Sequence, residues 1–245
     1  MSLVSLASAH GSPGATTVAL GLAAVWPREA DVVLAETDPF GGVLAARAGL
    51  ADTPGLVSLA AEARNGLNTE VVWRHAQGLP GGLPVVVGPP SADEATAVLS
   101  DFAAVLADWA ASTEVVVIAD CGRVGTIAGP QRPVLAASDE LLLVCRPTAD
   151  QLRPAAARLR ALDDGGVSGR LLLVGDTPYG PGEVESALEV PVAGFVAFDP
   201  VGAAALSGDG GSSSVRRSRL VRSVATLADQ LDVWSSPEPA VGVGS

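Results

Sequence analysis

The stretch His10-Gly11-Ser12-Pro13-Gly14-Ala15-Thr16-Thr17 lies between two apolar segments, Leu3 to Ala7 and Val18 to Trp26. The first segment has the length of a buried strand, and the second is long enough for a helix. Glycines at such a junction let backbone N–H groups converge, and the helix N-terminus adds a positive dipole. The stretch therefore predicts a phosphate-binding loop. The alternative is a strand-to-helix turn that has lost its ligand.

The loop differs from the common phosphate-binding loop in its charge. The common pattern, G-x-x-x-x-G-K-[ST], places a lysine on the phosphates and a hydroxyl on Mg²⁺. Position 15 is Ala, and the chain of 245 residues contains no lysine, so all 15 basic residues are Arg. No lysine from elsewhere can replace the missing one. Pro13 also lacks the backbone N–H that another residue would offer to a phosphate.

Composition excludes several classes of protein. The 27 acidic and 15 basic residues give a net charge of −12, which argues against a surface coated by nucleic acid. No uncharged apolar segment reaches the length of about 18 residues that spans a bilayer, and no secretory leader precedes the first strand. We therefore expect a soluble, cytoplasmic protein. Cys121 and Cys145 lack metal-ligand spacing, which predicts buried thiols.

Apolar strand-like segments alternate with helical segments along the whole chain. The strand-like segments are Leu3 to Ala7, Asp31 to Ala35, Leu83 to Val87, Glu114 to Ala119, Glu140 to Cys145, Arg170 to Val174 and Val192 to Val196. Their alternation with helices predicts an α/β fold, with a doubly wound, mostly parallel sheet covered by helices on both faces. We expect one domain over residues 1–234, a flexible Gly/Ser-rich loop at 207–214 and a disordered tail at 235–245. Residues 65–82 give no clear pattern.

Chemistry-bearing residues follow three of the predicted strands. The loop at 10–17 follows the first, Glu36 and Asp38 follow the second, and Asp120 follows the fourth. Ligands of doubly wound sheets bind beyond the carboxyl ends of the strands, and residues at i and i+2 of a strand point to one face. A carboxylate in this position commonly serves Mg²⁺, and a second can hold the attacking water. Alternatively, these carboxylates only cap turns.

These motifs together resemble the ParA/MinD family of deviant-Walker-A ATPases. The family's Lys-Gly-Gly-x-Gly-Lys-Thr-Thr motif matches residues His10 to Thr17, its Asp-x-Asp-Pro segment matches Glu36 to Pro39, and its strand ending in Asp matches Val115 to Asp120. The run Gly14-Ala15-Thr16-Thr17 resembles the CpaE/TadZ-like branch and related septum-site proteins. Members of that branch place pilus-assembly or division machinery in the cell.

The resemblance implies a site for ATP or ADP with Mg²⁺. The nucleotide-binding residues would be Gly11, Ser12, Gly14, Ala15, Thr16 and Thr17. Thr16 would bind Mg²⁺ directly, Asp120 would bind it through water, and Asp38 would be the catalytic group that positions water. The family's two lysines correspond to His10 and Ala15. Each lost charged hydrogen bond removes about 1.5–3 kcal/mol, so two losses weaken binding by roughly 10² to 10⁴.

The chain also differs from the family at the residues that would bind the adenine base, and it carries a basic cluster on its surface. The family often reads adenine with an Asn after a late strand, where this chain has Gly175 to Pro178. The densest basic cluster, Arg216, Arg217, Arg219 and Arg222, corresponds to a region through which relatives contact DNA or membrane. A solvated helix start with an apolar face docked on the sheet accounts for this cluster more simply.

The functional prediction is a positioning or recruitment protein with a degenerate phosphate-binding loop. Nucleotide would stabilise a homodimer that recruits protein partners of a localisation, secretion or division machinery, at a pole or membrane complex, with slow or absent hydrolysis. The alternative is a pseudo-ATPase scaffold that binds its partners without nucleotide. A DNA-segregation ATPase ranks last because of the net charge of −12.

Overall fold

The computed structural model describes residues 2–11, 13–27, 30–125, 127–206 and 218–235. Its strands are β1 (Leu3–Ser8), β2 (Val32–Glu36), β3 (Gln77–Gly78), β4 (Pro84–Val86), β5 (Val116–Arg123), β6 (Glu140–Cys145), β7 (Arg170–Val174) and β8 (Val192–Val196). Its α-helices are α1 (Ala15–Val25), α2 (Leu44–Ala48), α3 (Leu56–Glu62), α4 (Thr69–His75), α5 (Ala92–Ser112), α6 (Arg132–Ala137), α7 (Ala149–Asp164), α8 (Pro181–Leu188), α9 (Pro200–Leu206) and α10 (Arg219–Ser235). The predicted loop at 207–214 and the predicted tail after Ser235 lie outside the described residues.

The strands form one sheet in the order β3-β4-β2-β5-β1-β6-β7-β8. All neighbouring strands are parallel except β3 and β4, which are antiparallel. The central strands β1, β5 and β6 are almost wholly buried, because helices cover the sheet on both faces. The predicted doubly wound, mostly parallel α/β fold is therefore confirmed.

Two apolar layers flank the sheet. One layer packs residues of α3 to α7 against residues of the strands, with Phe102 and Leu159 among its buried side chains. The other layer joins α1 and α10 to the opposite face, and Leu22 and Val224 are both fully buried there. Cys121 and Cys145 are free and buried, as the sequence predicted.

Helix α10 has the predicted apolar face. Leu220, Val224 and Leu227 are buried in the same layer as α1, so this face is occupied by the fold itself. Arg219 and Arg222 are exposed at the start of the helix, while Arg216 and Arg217 lie outside the described residues. Within the described part of the chain, no helix is long and apolar enough to cross a membrane.

The region at 65–82 contains more structure than its sequence pattern suggests. Helix α4 begins after Asn68, whose side-chain oxygen accepts a hydrogen bond of 3.0 Å from the backbone N–H of Val71. The short strand β3 then pairs with β4 at the edge of the sheet. Helices α6, α8 and α9 also went unpredicted, and each has eight residues or fewer.

Strand order decides where the functional residues meet. β5 lies between β2 and β1 in the sheet, so the carboxyl ends of these three strands are neighbours. The loop after β1, the turn after β2 and the end of β5 therefore converge at the edge formed by the carboxyl ends of the strands. This edge is the position at which doubly wound sheets bind ligands.

Candidate nucleotide-binding site

An open cavity of about 450 Å³ lies at this edge of the sheet. Its walls come from the loop between β1 and α1, the turn after β2, helix α2 and the end of β5. The lining residues are Ser8, Gly11, Pro13, Gly14, Ala15, Thr16, Thr17, Asp38, Phe40, Arg47, Gly122 and Arg123. The structure therefore brings Asp38 together with the predicted nucleotide-binding residues of the loop that it describes, and Ser12 lies outside the described residues.

The loop presents the N-terminus of α1 to the cavity. Gly14 is the N-cap residue with φ of +108°, a backbone conformation that favours glycine. Its carbonyl accepts the first helical hydrogen bond, from Val18 at 2.9 Å. Among the described residues no side chain caps α1, so its first N–H groups remain available to a ligand. These are the groups that a phosphate-binding loop uses.

Asp120 and Thr16 form a buried pair behind the loop. The Asp120 side chain is only 2% exposed, and its carboxylate accepts hydrogen bonds from the Thr16 hydroxyl and from the backbone N–H of Gly122 at 3.3 Å. Burial raises the pKa of Asp120 to about 6, against the opposing effect of the Thr16 hydroxyl and with the support of the negative charge of Glu36. Asp120 thus holds the hydroxyl that was predicted to bind Mg²⁺.

Glu36 supports the site without lining it. Its Oε1 atom accepts hydrogen bonds from the backbone N–H groups of Val43 at 2.8 Å and Leu44 at 2.9 Å, and its Oε2 atom accepts one from Gly88 at 3.0 Å. The side chain is 1% exposed, and burial raises its pKa despite these three bonds. Glu36 therefore caps α2 and ties β2 to the end of β4, whereas the i, i+2 spacing had suggested that it faces the site together with Asp38.

Asp38 belongs to the turn after β2, and its side chain lies against Gly122 near the end of β5. Its Oδ1 atom accepts a hydrogen bond of 2.8 Å from the backbone N–H of Phe40. A Cβ atom at Gly122, where φ is +59°, would overlap the Asp38 carboxyl group. Burial raises the pKa of Asp38, while the Phe40 N–H and the charge of Arg123 lower it. Asp38 lines the cavity together with the loop, and its role in positioning water stays a prediction.

Two arginines of the cavity wall escaped prediction. Arg47 comes from α2, and Arg123 is the last residue of β5. Residue alternation along β5 would place Arg123 on the face opposite to Asp120. However, Leu6 of β1 pairs with Asp120 and Ser8 pairs with Arg123, so β5 contains one extra residue in this interval. This bulge brings Arg123 to the face of Asp120, and Gly122 beside it was the signal.

His10 does not line the cavity, although it corresponds to the first lysine of the family motif. It is an exposed residue. Ala15 lines the cavity with a side chain that is only 7% exposed. Neither position therefore supplies a cation to the loop.

A second cavity of about 300 Å³ adjoins the loop on the other side of Pro13 and Gly14. Val174, Phe198 and Ala203 contribute to its apolar wall, and the guanidinium of Arg146 lies 5.0 Å from the centre of the Phe198 ring. The stretch Gly175 to Pro178, which replaces the Asn of the family, does not line this cavity.

The residues fit a Mg²⁺-nucleotide in two respects. The Thr16 hydroxyl and the Asp120 carboxylate are paired, and Glu36, Asp38 and Asp120 hold negative charge that a divalent cation would compensate. Within the described ranges, no group of three or more His, Cys, Asp or Glu side chains could hold a metal ion by itself. The phosphates and water would therefore complete the coordination of Mg²⁺.

No protein-family model matches the chain, and no curated protein matches it by sequence. Solved structures do match its fold. A ParA family ATPase from Chlorobium tepidum superposes with a TM-score of 0.75 at 20% identity, over 94% of this chain and 98% of that chain. The chain has the fold of the ParA and MinD ATPases. The septum site-determining protein MinD from Pyrococcus horikoshii, in complex with Mg-ADP, gives a TM-score of 0.75 at 16% identity, over 96% of this chain and 97% of that chain.

A third structure with the ParA/MinD fold is a MinC:MinD cell division protein complex from Aquifex aeolicus. It superposes with a TM-score of 0.70 at 14% identity, over 98% of each chain. The ParA/MinD fold thus covers nearly the whole chain.

The first prediction concerns the buried charge of Asp120. Burial raises its pKa from the ordinary aspartate value of 3.8 to about 6 in the folded protein. The folded state therefore binds the proton more tightly than the unfolded state does. The free energy of unfolding should therefore fall by about 3 kcal/mol as the pH rises through this interval. Asp120→Asn should remove this fall and stabilise the protein at pH 7.5 but not at pH 4, as measured by urea unfolding. Asp101→Asn, an exposed change of equal charge, is the control. An unchanged pH dependence in Asp120→Asn would contradict the assignment.

The second prediction concerns the contact between Gly122 and Asp38. Gly122→Ala and Gly49→Ala both place a side chain at a left-handed φ, +59° and +66°, but a Cβ atom at Gly49 meets nothing within 4 Å. Gly122→Ala should therefore lower the free energy of unfolding by about 1–3 kcal/mol more than Gly49→Ala, because only it overlaps Asp38. In an Asp38→Ala background this excess should disappear. If both glycine substitutions lowered the free energy of unfolding equally, the Asp38 side chain would not be in contact with Gly122.

Proposed function

We propose that the protein is a nucleotide-dependent positioning or recruitment protein of the ParA/MinD type. The observation that supports this proposal is that Thr16 and Asp120 pair behind an uncapped helix N-terminus, while Asp38 lines the same cavity. ATP or ADP with Mg²⁺ would bind there through the loop, with Thr16 on Mg²⁺ and Asp120 behind it through water. The MinD neighbour from Pyrococcus horikoshii holds Mg-ADP, which supports this choice of ligand.

The proposed output is partner recruitment, with hydrolysis slow or absent. Ala15 and His10 leave the loop without the lysines of the family motif, so transition-state charge is poorly compensated. Asp38 remains where water would be positioned, at the turn after β2. The MinC:MinD complex shows that a protein of this fold binds a protein partner. We infer a similar role here, through a homodimer that the nucleotide stabilises.

The run Gly14-Ala15-Thr16-Thr17 supports placement in the CpaE/TadZ-like branch. That placement would make the partners components of a secretion, pilus-assembly or division machinery, and would localise the protein at a pole or membrane complex. A DNA partner remains the weaker proposal. The apolar face of α10 is buried against α1, and the net charge of −12 opposes association with a polyanion.

A second candidate function follows from the same missing lysines. In a nucleotide-independent scaffold, the fold would serve protein contacts alone. Thr16→Ala and Asp120→Ala would then leave partner binding unchanged. In the nucleotide-dependent protein, both substitutions would weaken partner binding while the protein remains folded.

The third prediction tests nucleotide binding directly. Titration calorimetry with millimolar Mg-ATP and Mg-ADP should give binding to the unmodified protein, and EDTA should weaken it. Thr16→Ala should lose at least about tenfold in Mg²⁺-dependent affinity, because a ligand to the cation is removed. Thr226→Ala, an exposed change on α10 where the hydroxyl donates to the Arg222 carbonyl, should behave like the unmodified protein. Absence of both binding heat and thermal stabilisation in the unmodified protein would rule out the proposal in favour of the scaffold.

A further inference from the structure

The cavity has an unusual balance of charge for a phosphate site. Asp38 and the buried Asp120 contribute negative charge, and neither His10 nor Ala15 contributes a cation. A nucleoside triphosphate carries about four negative charges, and the protein carboxylates add to the negative charge of the site. Backbone N–H groups and one Mg²⁺ do not neutralise this total. A nucleotide would therefore need further cationic groups from the protein.

The cavity wall contains two such groups. Among the described lining residues, Arg47 and Arg123 are the ones with a permanent positive charge. Both are exposed, and no ion pair within 4 Å involves either of them in the described part of the chain. Their guanidinium N–H donors are therefore available to a ligand.

Local structure places Arg123 with some precision. The bulge at Gly122 brings its side chain to the face of β5 that carries Asp120, and Ser8 pairs with it across the strands. Its guanidinium carbon lies 4.5 Å from the centre of the Phe40 ring, which is a cation–π contact. The charge of Arg123 also lowers the pKa of Asp38. Arg123 is thus held beside both the loop and the water-positioning carboxylate.

Arg47 comes from a second element of the cavity wall. It lies in the last turn of α2, a helix whose start is fixed because Glu36 accepts hydrogen bonds from Val43 and Leu44. The two arginines therefore come from different elements that line the cavity together with Asp38. Each guanidinium offers a planar set of N–H donors that matches two phosphate oxygens at once.

We propose that Arg123, assisted by Arg47, binds the phosphates of the nucleotide in place of the absent lysines of the loop. This inference rests on the proposed nucleotide-dependent function. The ligand class is a nucleoside di- or triphosphate with Mg²⁺. The cationic groups of the site then come from the end of β5 and from α2 rather than from the loop itself.

The fourth prediction compares arginine substitutions in the full chain by titration calorimetry with Mg-ATP and Mg-ADP. Arg123→Gln should weaken Mg-ATP binding by about 10- to 100-fold, the range for a lost charge-assisted contact, and Arg47→Gln should weaken it less. Arg123→Lys should restore part of the loss, because it returns the charge without the planar fork. Arg153→Gln, an equal change of charge at an exposed site on α7, should stay within about twofold of the unmodified protein.

Thermal unfolding of the ligand-free variants separates this role from a structural one. If Arg123 served only to pack on Phe40 and balance Asp38, Arg123→Gln would lower the melting temperature and leave the affinity for Mg-ATP unchanged, which would overturn the inference. Equal weakening by Arg153→Gln would overturn it too, because the effect would then be general electrostatics. Nucleotide binding by the unmodified protein with no effect of Arg123→Gln would leave the proposed function standing. Absence of binding by the unmodified protein would remove both.

Discussion

The carboxylate of Glu36 organises the functional edge of the sheet. It satisfies three backbone N–H groups, two at the start of α2 and one at Gly88 beyond β4. These donors favour the charged form of the carboxylate, but desolvation by burial outweighs them and raises the pKa of Glu36. The turn that presents Asp38 and Phe40 begins directly after this residue. The part of the cavity wall that this turn forms therefore depends on a side chain that never touches the cavity.

Three carboxylates lie close together at this edge, and each has a different function in the structure. Glu36 is committed to backbone donors, Asp120 to the Thr16 hydroxyl, and Asp38 faces open space beside Gly122. Their mutual repulsion contributes to the raised pKa values of Glu36 and Asp120. A bound cation would relieve this repulsion, so the occupied protein should unfold less readily than the empty one.

The sequence predicted the sheet well because its strands are buried on both faces and read as continuous apolar segments. β6, β7 and β8 have the predicted bounds. Short helices such as α8 were not predicted, because eight residues give too few turns for a recognisable periodic pattern. Helix α4 has only seven residues, so its apolar pattern was too short to recognise, although the capping residue Asn68 was visible in the sequence.

The sequence predicted the loop and the strand-end carboxylates of the candidate site, because strand order alone brings these residues together. Arg123 could not be found in the same way. The alternation of side chains along a strand holds only while the register is regular, and here β5 carries one residue more than β1 between the paired positions. The position of this charge is thus set by a count of residues and not by their type. If β5 continued through the same residues without the bulge, alternation would turn the guanidinium toward the apolar layer that contains Cys121, so a comparison of residue identities alone would overlook how the site acquired its cation.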